Sequence, residues 1–129
     1  MKSTFSFFMV AFLSLPVFAG ALPDATKIAD CTTPADSKNV ANSITILFKG
    51  ADRNDKSGYN IHYTSGNIDR DFPVLGLEWV DSNTLGLRFA SYMVLTIHNG
   101  SSSNNTIGVA LGAPPRNMNC NANFGLIAQ

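Results

Sequence analysis

The feature that most constrains this chain is a two-residue alternation of apolar and polar side chains, repeated in short runs from Tyr59 onward. Tyr59, Ile61 and Tyr63 alternate with Asn60, His62 and Thr64. Leu75, Leu77 and Trp79 alternate with Gly76, Glu78 and Val80, and Leu85, Leu87 and Phe89 with Thr84, Gly86 and Arg88. Met93, Leu95 and Ile97 alternate with Val94, Thr96 and His98, and a last run puts Ile107, Val109 and Leu111 on one side. Side chains of an extended strand point alternately to its two faces, so each run reads as a strand with one apolar face. Asp81-Ser82-Asn83 and Asn99-Gly100 supply turn chemistry between runs. Roughly five short strands of this kind predict an antiparallel sheet whose apolar face must be covered.

The segment upstream offers a cover. Thr33 can cap a helix, Pro34 suits its first position, and Asp36 sits near its positive end. Val40, Ala41, Ile44, Leu47 and Phe48 recur at helical spacing, and Gly50 is a natural stop. The β-branched Ile44-Thr45-Ile46 is also compatible with a strand. With the capping signals given precedence, the expectation is an α+β fold, one N-terminal helix packed on an antiparallel sheet. Residues 22–30 read as a loose lead-in, and Ala113 to Asn123 as an irregular tail.

The N-terminus reads as a secretory signal peptide. Lys2 precedes an apolar run from Phe5 to Phe18, which ends in Ala19-Gly20-Ala21. Residues 1–21 are therefore assigned to the signal and 22–129 to a single domain, secreted and free of the membrane after cleavage. The remaining chain is about 110 residues, a one-domain length. Nine Lys and Arg balance nine Asp and Glu, which argues against a strong, salt-driven grip on nucleic acid. Cys31 and Cys120 lie near opposite ends of the domain. In an oxidising compartment they are expected to pair, closing a loop of about 90 residues worth roughly 4–5 kcal/mol in the chain-entropy model. Two cysteines are too few for a metal cage, and no cofactor is expected.

His62, Glu78, Arg88 and His98 each take the parity opposite the apolar residues of their run, so all four fall on one face. Such a set suits phosphoryl transfer without a metal. A carboxylate takes a proton from a hydroxyl, a histidine returns one to the leaving oxygen, and an arginine stabilises the growing charge. The outer face of an antiparallel sheet is also commonly just solvated.

Three segments resemble the small secreted guanyl-preferring ribonucleases of fungi, related to the sarcin ribotoxins. Tyr92 through Asn105, with His98, Gly100 and the pair Asn104-Asn105, resembles the strand and loop around that family's catalytic acid. Asp71-Phe72-Pro73-Val74 followed by Glu78-Trp79 resembles the approach to its catalytic base, and Tyr59 with His62 has the right order upstream. The resemblance implies a microbial-ribonuclease-like fold with a disulfide joining the termini. It implies Glu78 as base, His98 as acid, Arg88 as phosphate clamp, and His62 and Tyr59 as phosphate holders. Asn104 and Asn105 would line the substrate site. The partner would be single-stranded RNA, cut to 2′,3′-cyclic phosphates by a monomeric enzyme. The stretch Tyr63 to Arg70 lacks the family's guanine-stacking aromatic and edge-reading glutamate at the matching places. That departure resembles a second group, ribonuclease-like effectors of plant-pathogenic fungi. The two resemblances together imply a secreted effector with metal-independent endoribonuclease activity, delivered into host cells, and as the alternative a catalytically inactive effector or binding module engaging host protein or RNA. Asn99-Gly100-Ser101 and Asn104-Asn105-Thr106 are also glycosylation sequons.

Overall fold

The structure, a computed structural model, describes residues 25–36, 40–109, 112 and 114–127. The assigned signal peptide lies outside the described residues. Among the described residues eight strands follow one another: β1 Thr26–Thr33, β2 Asn42–Phe48, β3 Tyr59–Ser65, β4 Ile68–Asp81, β5 Thr84–Phe89, β6 Met93–His98, β7 Gly100–Val109 and β8 Arg116–Ala122. Each pairs antiparallel with the next, and β8 returns to pair with β1, closing the sheet into a barrel.

The expected α+β arrangement is overturned, because the described residues contain no α-helix, only two 3-10 turns at Lys56–Gly58 and Phe124–Leu126. The segment given to a helix contains β2. Ile44, Ile46 and Phe48 are buried, and Thr45 and Leu47 between them are only partly so. A helix presenting Ile44, Leu47 and Phe48 turns Ile46 to the opposite side, whereas a strand buries Ile44 and Ile46 together. The cap signals at Thr33 and Pro34 are spent otherwise. Thr33 is the last residue of β1, and its Oγ1 accepts the Asn42 N–H at 3.0 Å, joining the ends of β1 and β2. The lead-in and the tail are likewise strands, β1 and β8, and they supply the closing seam. The apolar face of the sheet is therefore covered by the sheet itself.

Inside, side chains fill the barrel, as a closed sheet of eight strands allows. Ile44, Ile46, Ile61, Leu85, Phe89, Leu95 and Ile97 are fully buried. The outer wall is polar: Ser43, Asn117, Asn119 and Asn121 are exposed. This is the inverse of a membrane-spanning barrel, which is apolar outward. No helix among the described residues is long and apolar enough to cross a membrane.

Cys31 and Cys120 are bonded, as the sequence leads one to expect. They are direct cross-strand partners on β1 and β8, with Cα atoms 4.1 Å apart, and both are buried. The bridge thus staples the seam where the first strand meets the last. One parity assignment fails. A bulge between Val74 and Gly76 turns Val74 and Leu77 inward and leaves Leu75 37% exposed.

Candidate functional site

The two ends of the barrel are built differently. At one end, the connection Lys49–Gly58 and the C-terminal turn fold over the opening. Phe124 is buried and meets Trp79 edge-on, ring centroids 5.1 Å apart. The Arg53 guanidinium lies 3.8 Å over the Trp79 ring. Its carbonyl accepts from both Trp79 Nε1–H at 3.0 Å and Tyr59 O–H at 2.7 Å. Burial pushes the Tyr59 phenol up to about 12, because the phenolate would lose its water. Gly58 is required here, since a Cβ would stand 2.9 Å from the Lys49 carbonyl oxygen. Asp55 caps the 3-10 turn, and the Ser57 hydroxyl and amide hold its carboxyl below the usual range.

The opposite end is a mouth, framed by the ends of β3, β5 and β7 and the starts of β4, β6 and β8. Three rings form its wall: Tyr63 and Phe89 at 5.6 Å, Phe72 and Phe89 at 5.4 Å, Tyr63 and Phe72 at 6.2 Å. They bound a cavity of about 460 Å³, completed by Tyr92, Met93 and Arg70. A second cavity, about 750 Å³, adjoins it across Tyr63 and Met93 and reaches Arg116. Tyr63 O–H donates to Asn42 Oδ1 at 3.1 Å, which fixes the ring. Arg70 lies over the Phe72 ring at 4.8 Å.

The rim turn between β5 and β6 is strained. Ala90 and Ser91 hold φ of 51° and 73°, a region that costs L-residues about 1 kcal/mol or more each. Tyr92 N–H donates to the Ala90 carbonyl at 2.9 Å across a three-residue γ-turn. Arg88 clamps this turn through Nη1–H to the Ser91 carbonyl at 2.9 Å. Strain held this way is a recurrent mark of ligand clamps.

His62, Glu78, Arg88 and His98 all face outward, as their parity predicts, but they do not form one cluster. His62 pairs across β3 and β4 with Asp71, seven positions from Glu78 and hence about 23 Å along the strand. Its Nδ1 lies 2.8 Å from Asp71 Oδ1 and its Nε2 3.0 Å from Asp69 Oδ1. Glu78 and Arg88 do share a shallow depression of about 380 Å³, left by Gly76 and Gly86. His98 stands on the next strand but one, with Nδ1 3.4 Å from Thr84 Oγ1. Tyr59 is buried in the plugged end. Asn105 is fully buried: its Oδ1 accepts the His98 N–H at 2.6 Å, and its Nδ2 donates to the Ser102 carbonyl at 2.8 Å. Asn104 is exposed in the same irregular stretch of β7.

Sequence reasoning placed Tyr63, Phe89 and Met93 in a core and gave the mouth no role. The available signal was aromatics standing directly beside turn residues, as in Tyr63-Thr64-Ser65-Gly66-Asn67 and Phe89-Ala90-Ser91-Tyr92. Comparison with protein-family models, curated proteins and solved structures found no match.

Proposed function

We propose that this chain is an exported, monomeric binding module that takes a small ligand in its aromatic mouth. The observation that carries this reading is the asymmetry of the barrel: one end is sealed by its own side chains, the other presents a ring-lined cavity. Barrel mouths are recurrent ligand sites, and a cavity of this volume is of ligand size. A closed barrel also offers no free sheet edge for another copy to extend.

Methionine gives a direct test. Beyond the assigned signal the chain has two, Met93 at the mouth and Met118 buried in the interior. In methyl-labelled protein, a screen of small molecules should shift the Met93 signal and leave Met118 in place. A screen at millimolar concentration in which Met93 never moves sinks the reading.

A second reading, RNA cleavage or RNA binding on the outer wall, is favoured by the depression shared by Glu78 and Arg88. Glu78 stands opposite Gly86, and His98 opposite Thr84, two positions along and two strands over. That puts base and acid on Cα positions about 12 Å apart. Incubation of the refolded chain with RNA in excess chelator tests it. Cyclic-phosphate products that vanish in Glu78→Ala or His98→Ala support it, and intact RNA beside a folded spectrum rejects it.

A further inference from the structure

We infer that the mouth selects a compact aromatic carboxylate, an inference that rests on the mouth being the ligand site. Three observations define the ligand. The cavity is a bowl and not a channel, because Ile61 and Leu95 fill the barrel inside it at 0% exposure. A long acyl chain therefore has no bore to enter, and a ligand of ring size fits. Its walls are ring faces and edges, from Tyr63, Phe72, Phe89 and Tyr92. Aromatic surfaces of this kind hold another ring by offset or edge contact.

The charge comes from two arginines. Arg70 lines the first cavity and Arg116 the second. Arg70 rests on the Phe72 ring. Arg116 donates to the backbone carbonyls of Val40 and Pro34, at 3.3 and 2.9 Å. Neither makes an ion pair with a carboxylate among the described residues. The acidic residue in the same lining, Asp69, is engaged by His62 at 3.0 Å. The mouth is thus apolar inside, with two guanidinium groups and the Asp69 carboxylate at its rim. A planar guanidinium matches a carboxylate better than a point cation would.

The test uses 1-naphthoate, its neutral isostere 1-naphthamide, and dodecanoate, each titrated against the methyl-labelled protein. Naphthoate should move Met93 and not Met118, and should bind more tightly than either of the others. Arg70→Gln should weaken naphthoate by about fivefold to tenfold and leave naphthamide unchanged, since it removes one charge-assisted contact. Arg70 is exposed, so this variant folds, and an unchanged Met118 signal verifies it. If naphthamide binds at the mouth as tightly as naphthoate, selection for an anion is overturned while the mouth remains a ligand site. If dodecanoate binds more tightly, the choice of a ring is overturned. If naphthoate leaves Met93 unmoved, the inference fails, and the wider screen then decides whether the mouth binds anything.

Discussion

The sealed end and the mouth are made of the same kind of residue, large aromatics at strand ends, yet they behave as opposites. At the sealed end every polar group on an aromatic is answered by backbone: Tyr59 O–H and Trp79 Nε1–H both donate to one carbonyl of Arg53. A nonlocal segment, Phe124 and Ile127 after β8, is buried there. At the mouth the rings pack mainly on one another, and Tyr92 is 50% exposed. What differs beside the rings is the connecting chain. The connection from Lys49 to Gly58 is long enough to fold inward, and the C-terminus adds a second cover. The turns beside Tyr63 and Phe89 span only a few residues and cannot reach across the opening. Packing across the opening is therefore found at one end, and the ring-lined cavity at the other.

The seam serves both ends, so its loss is the largest effect expected and a check that the comparison concerns ends alone. Reducing the Cys31–Cys120 bridge, or Cys31→Ala with Cys120→Ala, should cost about 4–5 kcal/mol. Urea unfolding followed by Trp79 fluorescence measures it, and a loss below 1 kcal/mol contradicts a seam role. Next, Phe124→Ala should cost about 3 kcal/mol by emptying a packed site. It should also speed amide exchange around Trp79 without moving the Met93 signal. Equal disturbance at Met93 would break the distinction between ends.

A smaller effect is set by pH. The Tyr59 phenol sits at about 12 in the folded chain, against about 10 when unfolded. The folded state therefore keeps a proton that the unfolded state loses. Tyr59 contributes its full stabilisation below pH 10, and that contribution falls as pH rises from about 10 to 12. The alkaline limb of a stability profile should flatten in Tyr59→Phe. The smallest effect on stability belongs to the mouth: Tyr92→Ala should change unfolding by less than about 0.5 kcal/mol, as at exposed positions generally. The same variant should weaken mouth ligands several-fold, a split that a merely structural Tyr92 would not produce.

Much of the fold was legible in single residues. Ile61, Leu85, Leu87, Leu95 and Ile97 were placed inward by alternation alone, and all are buried. Two turns, at Ser82-Asn83 and around Gly100, follow from local chemistry, and Gly100 holds a φ of 92° that suits glycine. Leu75 misled because a bulge adds one residue to β4, and nothing local in Pro73-Val74-Leu75-Gly76 fixes which residue is extra. The segment Thr33 to Phe48 misled because its cap residues are equally good at joining two strands. The outward set His62, Glu78, Arg88 and His98 was read correctly as a face. Its spread along the barrel depends on register, which parity does not carry.

The sequence by itself determined five strands between Tyr59 and Val109, which way most of their side chains point, and that two distant cysteines could join. These are properties of a period of two and of local turns. Only the tertiary structure decided that the sheet closes on itself, that β1 and β8 meet at the disulfide, and that one end is sealed while the other is a mouth. Closure depends on strand stagger and nonlocal pairing, and neither leaves a signature within a single strand.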